Sequence, residues 1–555
     1  MADNLLFEHF ATLATAPDGI ARLRELILQL AVQGKLGTQD AGDEPASVLL
    51  KRIEKERRLN EEKIKKEKSL EPVKDIDVGF QIPDTWVLTR LGVIAQYNAE
   101  TKTSANEISE DAWVFDLEDI EKDTSRILQK VRFKDRRSLS TKSRFRKGDI
   151  LYGKLRPYLN KVVVADEEGY CTTEIVPIRP YAKIFPKFLM YALKTPDFLS
   201  YVNSKTYGIK MPRLGTVDAL NTIIPLPPLA EQHRIVAKVD RLMALCDELE
   251  TRQKQERAGC LKLGTATLMG LQNAIRPGEF ERQWAQVCDA FDLILDCPEN
   301  VAVLRQTILQ MAVQGWLGTH DSKDEPAEKL VEKIRKEKER LVKEGKSKKE
   351  KPHEPVHSDE VPFILPNRWM WCRFGDVATI ETNIVPPDDF QNLPHVAPDN
   401  LEKGTGRLLH YRTVAEDDVQ SPNHHFYPNQ IVYSKIRPNL SKLTIVDFEG
   451  LCSADMYPIY SHIFNKYLKI FMLSLPFYHQ AVSDENRLAM PKINQTQLNL
   501  IYVAIPPLAE QHRIVAKVDA LMALCDELEA RLKERAGVQG RLAVAAVKQV
   551  TEGVQ

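Results

Sequence analysis

Two loops of the sequence carry residue types that bind nucleic acid. Each has the pattern Lys-x-Arg-Pro, at 154–157 in the first half of the chain and at 435–438 in the second. Each follows a short run that predicts a strand, 149–152 and 430–433. Arg can donate two parallel N–H bonds to a phosphate or to a guanine edge, Lys supplies a point charge, and Pro restricts the backbone. The pattern indicates contact with DNA; a salt bridge to a nearby carboxylate is the alternative.

Further Lys and Arg residues are concentrated around the first of these loops. From Arg126 to Lys161 the sequence has thirteen Lys and Arg residues and only Asp135 and Asp149 as acidic ones, whereas the formal net charge of the whole chain is -1. A local excess of positive charge neutralises phosphates, and a nearly neutral chain is not expected to coat nucleic acid over its whole surface. The sequence therefore predicts localised basic patches.

A second candidate loop spans 205–213 and corresponds to 485–492. Its polar residues could contact bases, while Met211 and Met490 are expected to pack in the core. Over both kinds of loop and the basic segment, we predict DNA contacts for Arg132, Lys134, Arg136, Arg137, Lys142, Arg144, Arg146, Lys154, Arg156, Lys161, Lys205, Lys210, Arg213, Lys435, Arg437, Lys442, Arg487 and Lys492.

The sequence contains no pattern typical of a catalytic site. It lacks the Gly-rich nucleotide loops and the Asn-Pro-Pro-Tyr or Asp-Pro-Pro-Tyr pattern with which adenine methyltransferases hold a flipped base. The segment 386–390 lacks the downstream Glu-x-Lys that a metal-dependent nuclease needs. His233 and His512 have no nucleophile or metal ligand nearby, so helix capping or bundle packing is expected for them. The eight cysteines lack metal-binding spacing and are expected to pack as reduced thiols. We expect no catalytic residue, no metal and no cofactor in this chain.

The elements that position these loops occur twice. Residues 228–240 return without change as 507–519, and 27–38 return as 308–319. The period is about half the chain, far longer than the ~20–50 residues of a solenoid repeat. Each copy is therefore a set of domains.

The repeated segments predict long helices. Pro227-Pro228 and Pro506-Pro507 precede them, Glu231 and Glu510 lie in the first turn, and their apolar residues follow a three-four heptad pattern. We expect the two nearly identical faces to pack against each other around a pseudo-twofold axis; an accidental duplication of a bundle helix is the alternative. The predicted helix or subunit interface consists of Ile235, Val239, Leu242, Leu249, Ile514, Val518, Leu521 and Leu528.

Between the helices lie two bodies with one scaffold. Residues 152–161 align with 433–442, amid β-branched runs and short helices, which predicts an α+β fold. By contrast, 98–146 and 382–430 resemble each other hardly at all, as expected of two readers of different targets. The fold class is α+β, with two globular α/β recognition domains separated by two long antiparallel coiled-coil regions and an internal pseudo-twofold repeat.

The same patterns set the expected domain boundaries. They predict an N-terminal helical region at 1–75 that pairs with the C-terminal helices, recognition domains at 76–226 and 356–505, a central helical region at 227–355 and a C-terminal helix at 506–555.

The doubled Pro-Leu-Ala-Glu-Gln-His-Arg-Ile-Val helix, the segment 148–157 and the Ala-Val-Gln-Gly-Lys-Leu segment resemble the specificity subunit of a type I restriction-modification enzyme, over essentially the whole chain. The resemblance implies that each recognition domain reads one half of a split, asymmetric DNA site and that the helices fix the spacer. It further implies that two adenine-methylating modification subunits dock on the helices with S-adenosylmethionine. Two motor-nuclease restriction subunits, using ATP and Mg, can then join.

Two other functions stay open at this point. A self-contained DNA-modifying enzyme would need a nucleotide or carboxylate site, and a coiled-coil scaffold would need no basic loops. The sequence has no run of ~20 apolar residues and no basic leader followed by an apolar core, so we expect a cytoplasmic protein without membrane contact.

Overall fold

The computed structural model describes residues 2–61, 70, 73, 80–99, 102–181, 183–208, 210–344, 356, 361–482 and 491–552. The chain divides into two compact units. The first comprises Met1–Lys254 and Arg535–Gln555, and the second comprises Gln255–Glu534.

The elements up to and including the first long helix are α1 (Ala2–Thr15), α2 (Gly19–Val32), α3 (Ala46–Glu61), β1 (Val87–Arg90), α4 (Leu91–Ile94), β2 (Ala95–Tyr97), β3 (Lys102–Thr103), β4 (Trp113–Phe115), β5 (Val131–Arg132), β6 (Lys142–Phe145), β7 (Ile150–Gly153), β8 (Val162–Val164), β9 (Gly169–Cys171), β10 (Ile175–Pro180), α5 (Pro186–Ala192), α6 (Pro196–Lys205), α7 (Thr216–Leu220), β11 (Ile223–Leu226) and α8 (Leu229–Gln272).

The elements that follow are α9 (Pro277–Asp289), α10 (Phe291–Leu295), α11 (Asn300–Gln314), α12 (Ala327–Lys343), β12 (Met370–Arg373), α13 (Phe374–Val377), β13 (Ala378–Ile380), β14 (Ile384–Val385), β15 (Pro394–Val396), β16 (Arg412–Thr413), β17 (Asn423–Phe426), β18 (Ile431–Ser434), β19 (Leu443–Ile445), β20 (Gly450–Cys452), β21 (Met456–Ser461), α14 (Asn465–Leu473), α15 (Leu475–Val482), α16 (Gln495–Leu500), β22 (Tyr502–Ile505) and α17 (Leu508–Glu552).

The body of the first unit contains three sheets. The antiparallel pair β1-β11 joins the two ends of the body, and an antiparallel four-stranded sheet has the order β2-β10-β7-β8. The third sheet has five strands in the order β3-β6-β9-β4-β5, with β4 and β9 parallel. Its own small core contains Trp113, Phe115 and Phe145, whose rings pack edge to face.

The body of the second unit repeats this topology strand by strand. Its sheets have the orders β12-β22, β13-β21-β18-β19 and β14-β17-β20-β15-β16. The prediction of one scaffold in both bodies is confirmed, and this scaffold extends to 98–146 and 382–430, whose sequences hardly resemble each other. Both segments supply four of the five strands of the same five-stranded sheet, because a sheet needs only the alternation of buried and exposed residues and tolerates changes on its outer face.

The long helices α8 and α17 have 44 and 45 residues and begin directly after the predicted proline pairs. Of the predicted interface residues, Ile235, Val239, Ile514 and Val518 are buried. The remaining four are half-buried against the same cores as their neighbours: Leu242, Leu249, Leu521 and Leu528.

The partner of each helix face differs from the expectation. Ile235 and Val239 lie in the core of the first unit together with residues of α2, whereas Ile514 and Val518 lie in the core of the second unit together with residues of α11. The prediction that these two faces pack against each other is corrected for these residues. The physical reason is that α2 and α11 are buried along most of their length. Each therefore offers its long helix a larger apolar surface than the narrow heptad face of the other long helix would.

The first core also receives side chains from the end of the chain. Ala543, Ala546 and Val550 of α17 are buried there with residues of α2 and α8. The repeated α+β bodies and the long helices confirm the predicted fold class. Among the described residues, no helix has the length and apolar character that crossing a membrane requires.

Candidate nucleic-acid interface

The two Lys-x-Arg-Pro loops have the same backbone geometry. Arg156 and Arg437 both have a left-handed backbone with φ of 49°, and a 3-10 turn follows each of them. Their backbone N–H groups donate to the carbonyls of Pro212 and Pro491 at 2.8 Å. A left-handed non-glycine residue costs about 1 kcal/mol, so these hydrogen bonds help to hold an unfavourable conformation in both bodies.

The structure brings the two predicted loops of each body together. Leu155 forms a β-bridge with Arg213, and Ile436 forms one with Lys492. In the first body the Lys-x-Arg-Pro loop and the described residues of the second candidate loop therefore form one continuous surface. In the second body only Pro491 and Lys492 of the second loop belong to the described residues, and they lie against the Lys-x-Arg-Pro loop.

The structure separates the free cations of this surface from the paired ones. Arg213 donates from Nε and Nη2 to the carboxylate of Glu174 at 3.0 and 2.9 Å, and this holds the pKa of Glu174 below its ordinary value. In the second body Lys492 Nζ lies 3.1 Å from Asp455 Oδ1. The salt-bridge alternative therefore describes Arg213 and Lys492.

Arg156 and Arg437 are different. Both side chains are exposed, and in the part of the chain that the structure describes neither has a hydrogen bond, an ion pair or a ring contact. Lys154 and Lys435 behind them are half-buried, and Lys435 Nζ lies 5.1 Å from the ring centre of Tyr457. The two arginines are thus available to an external anion.

The first loop surface also exposes large apolar side chains. Tyr158, Tyr207 and Met211 have exposed fractions of 49%, 61% and 46%. The expectation that Met211 packs in the core is wrong, because nearly half of its side chain is exposed. Met490 and Arg487 lie outside the described residues. Lys205 and Lys210 are exposed in the same loop as Met211 and stay predicted DNA contacts.

Much of the predicted basic segment is neutralised within the body. Lys134 pairs with Asp111 at 2.9 Å and Arg144 with Glu168 at 2.9 Å. Three further pairs involve Arg132 with Glu167, Arg137 with Glu110 and Arg136 with Asp119. The count of charges from 126 to 161 missed these carboxylates because they lie before and after that segment and are brought back by the five-stranded sheet.

Four of the predicted DNA contacts are corrected by their surroundings. Arg136 donates to both oxygens of Asp119, which is fully buried, and Lys142 is only 4% exposed. Lys161 Nζ donates to the carbonyl of Leu117, and its equivalent Lys442 donates to that of Pro398, each at 2.7 Å. These groups stabilise the bodies, because removing a partner from a buried charge or carbonyl is unfavourable. Arg146 is exposed.

The repeated helix motif attaches each body to its long helix. Glu231 is buried and accepts hydrogen bonds from Trp86 Nε1 at 2.8 Å and Thr38 Oγ1 at 2.9 Å. Burial raises the pKa of the Glu231 carboxyl. In the second unit Glu510 accepts from Trp369 Nε1 at 3.0 Å.

Neighbouring residues of the motif add to this attachment. The side chain of Gln232 accepts from the N–H of Phe185 at 2.9 Å, and His233 stacks on the Phe185 ring with centres 4.2 Å apart. Gln511 and His512 make the same contacts with Phe464, at 2.9 and 3.9 Å. The predicted packing role of both histidines is confirmed.

A second attachment lies further along each long helix. Asp247 accepts from Arg24 of α2 and from Arg126 of the body, each at 2.6 Å. In the second unit Asp526 accepts from Arg305 at 2.6 Å and from Arg407 at 2.8 Å.

This ion pair was not among the contacts predicted from the sequence. A signal for it was present, because Glu-Lys-x-Thr-x-Arg occurs at 121–126 and again at 402–407, inside the segments taken as unrelated. Among the described residues there is no group of three or more side chains that could hold a metal ion.

Comparison with known proteins gives a consistent result. The family model described as type I restriction modification DNA specificity domain matches residues 83–257 and 366–536. The chain is 32% identical to the type I restriction enzyme EcoAI specificity subunit of Escherichia coli, over 95% of this chain and 93% of that protein. It is 31% identical to the EcoEI specificity subunit of the same organism, with the same two coverages.

A solved structure shares the fold. It was determined in a study of complex assembly and conformational transition of the type I R-M system, and it covers 85% of this chain and 98% of its own. The TM-score is 0.52 at 19% sequence identity.

Proposed function

The chain belongs to the family of type I restriction-modification DNA specificity subunits, and on this premise we propose that each of its two bodies reads one half of a split, asymmetric DNA site. The observation that carries the proposal is the pair of equivalent loops with exposed Arg156 and Arg437. A guanidinium on a fixed loop can clamp a phosphate or the O6 and N7 atoms of guanine. Family membership favours this function over a scaffold or a self-contained enzyme.

The chain supplies recognition in this proposal, and its partners supply the chemistry. Two modification subunits dock on the long helices and methylate adenine with S-adenosylmethionine, and two restriction subunits, using ATP and Mg, complete the enzyme in the cytoplasm. Leu245 and Leu524 support two equivalent docking positions. They occupy the same place in the two copies and are 48% and 60% exposed, so both helices present an apolar side chain at equivalent positions.

The first experiment identifies the target. Methylated adenines are mapped across the genome of the host with and without this gene, and loss of one split motif on deletion is expected. The motif then serves as a DNA duplex for binding by the full-length protein assembled with its modification subunits.

Binding is then measured as a function of salt for Arg156→Gln and Arg437→Gln. For a phosphate contact, each variant reduces the slope of log K against log salt by about one, whatever the sequence of the half-site. For a guanine contact, each variant weakens discrimination by about 1–3 kcal/mol at one half-site only. Arg531→Gln, which removes an exposed ion pair with Glu527 on α17, is the control. If both loop variants keep the wild-type slope and the wild-type base preference, these loops do not bind DNA.

A further inference from the structure

Among the polar contacts that attach each body to its long helix, two lie far apart along the helix. The first attachment is formed by Glu231 in the first unit and Glu510 in the second, close to the start of the helix. The second is formed by Asp247 and Asp526, about 24 Å further along at ~1.5 Å per residue. Between them Lys187 Nζ donates to Asp240 at 2.6 Å, and in the second unit Lys466 Nζ lies 3.9 Å from Asp519. The contact at Asp247 or Asp526 lies far from the start of the helix, so it constrains the direction of the body relative to the helix.

The second attachment comes from a turn of the same conformation in both bodies, which we name the strut turn (121–126 and 402–407). Its ends are closed by the hydrogen bonds Glu121 N–H to Arg126 O at 2.9 Å and Glu402 N–H to Arg407 O at 3.0 Å. Its backbone is left-handed at Asp123 and Ser125, both with φ of 63°. The equivalent glycines have φ of 69° and 71°: Gly404 and Gly406. The two turns have the same backbone conformation although their residues differ. This indicates that both copies retain the position of the arginine.

The strut turn is part of the five-stranded sheet. It follows β4 after a 3-10 turn (Leu117–Asp119), and Ile120 beside it is fully buried in the same small core as Trp113. Underneath the turn, Lys194 is 5% exposed and donates from Nζ to the carbonyl of Asp123 at 2.7 Å. In the second body Thr444 Oγ1 donates to the carbonyl of Gly406 at 3.1 Å. Arg126 and Arg407 therefore extend from turns that are held on their bodies by buried contacts.

The long helix side of the attachment is equally constrained. Arg24 of α2 and Arg305 of α11 are only 23% and 19% exposed, and each also contacts the acidic residue three positions further along the helix, Glu250 or Glu529. The carboxylates of Asp247 and Asp526 are thus also held in place by Arg24 and Arg305, independently of the strut turn. Each forms an ion pair with two arginines from different elements.

We propose that the ion pairs Arg126–Asp247 and Arg407–Asp526 are positioning contacts that set the direction of each five-stranded sheet on its long helix, and thereby limit the spacer lengths that the protein accepts between two half-sites. This inference rests on the proposed function. It assigns no base to these residues, because their side chains are engaged with the helix.

The test uses full-length protein assembled with its modification subunits and a series of DNA duplexes. The half-sites stay constant and the spacer runs from two base pairs shorter to two longer than the natural one. For Arg126→Ala and Arg407→Ala, we expect the preference for the natural spacer over its neighbours to fall by about threefold to fivefold, the range of a half-exposed ion pair. Base preference within each half-site should stay unchanged. Arg126→Lys and Arg407→Lys keep the charge and should restore part of the spacer preference.

The controls separate positioning from other roles. Arg531→Ala removes an ion pair on α17 that does not involve a body, and should leave the spacer profile unchanged. Thermal unfolding verifies that the variants fold, which we expect because Arg126 and Arg407 are each 57% exposed. An unchanged spacer profile in both Ala variants overturns the inference, and so does a changed base preference, which would place the turn in the reading surface. If the wild type binds no split site at any spacing, the proposed function itself fails.

Discussion

The indole N–H of Trp86 donates to the buried carboxylate of Glu231 at 2.8 Å, and thereby joins the first strand of the body to the first turn of the long helix. Trp369 and Glu510 repeat the contact at 3.0 Å. The tryptophan at the start of each body and the glutamate of each repeated helix thus form one hydrogen-bonded contact, which joins the body to the helix. This contact explains why the helix motif is the same in both copies while the sequences of the recognition domains differ.

Trp86→Phe should lower the free energy of unfolding by about 1–3 kcal/mol, because the buried Glu231 carboxylate loses a donor. The loss should shrink at acid pH, since the missing N–H stabilises only the ionised form and burial already raises the pKa of Glu231. Urea unfolding at neutral and acid pH measures both effects. Glu248→Gln, an exposed residue of the same helix, is the control and should change stability by less than ~0.5 kcal/mol. An equal loss at both pH values would contradict the assigned hydrogen bond.

Arg136→Gln and Arg156→Gln should have opposite effects. Arg136 neutralises the fully buried Asp119, so its loss should cost about 2 kcal/mol of stability and leave the salt slope of DNA binding unchanged. Arg156 has no partner among the described residues, so its loss should alter DNA binding and leave stability within ~0.5 kcal/mol. Chemical unfolding and binding titrations on the same preparations compare the two. A stable Arg136→Gln variant with a reduced salt slope would restore Arg136 as a DNA contact.

Lys194 should give the protein a distinct pH dependence. Burial lowers the pKa of its ammonium group to about 8 from an ordinary value near 10.5. Between these values the unfolded chain binds more protons than the folded one, so the contribution of Lys194 to stability rises with pH from about 8 to 10.5. Over that range the unfolding free energy of the wild type should rise by about 2–3 kcal/mol relative to that of Lys194→Met. A difference that is flat with pH would mean that Lys194 stays fully charged there.

The glycines of the second strut turn should respond unequally to substitution by alanine. A Cβ at Gly404 meets nothing within 4 Å, so Gly404→Ala should cost only the left-handed backbone strain, about 1 kcal/mol. A Cβ at Gly406 also meets the side chain of Lys469, so Gly406→Ala should cost more. Gly540→Ala, in open space on α17, should instead stabilise the helix by up to ~1 kcal/mol. Equal costs for Gly404→Ala and Gly406→Ala would argue against this packing of the turn on Lys469.

The thiols should react in the order of their exposure. Cys288 is exposed and should be alkylated first, whereas Cys171 and Cys452 are fully buried and should react only on unfolding. Burial and the neighbouring Cys260 raise the pKa of Cys297 to about 12, so Cys297 should also react slowly at neutral pH. Mass spectrometry of peptides after timed alkylation gives the order. Rapid labelling of Cys171 in folded protein would show that the five-stranded sheet opens locally.

The sequence by itself determined the repeat, the start of both long helices at the proline pairs, the α+β class and the two Lys-x-Arg-Pro loops. These features depend on local spacing, such as the heptad of Ile235 and Val239 or the rigid φ of proline, and spacing is readable from the chain. The packing role of His233 also followed from its neighbours, since nothing near it could share a proton or a metal ion.

Only the tertiary structure decided which cations are free and which partner each helix face takes. Arg126 and Asp247 are 121 residues apart in the chain, and Arg136 is neutralised by an aspartate on a different strand connection. Charges counted along a segment therefore do not give the charge of the folded surface. Burial and pairing are properties of contacts between distant residues, and the five-stranded sheet forms those contacts from segments that the sequence presents as unlike.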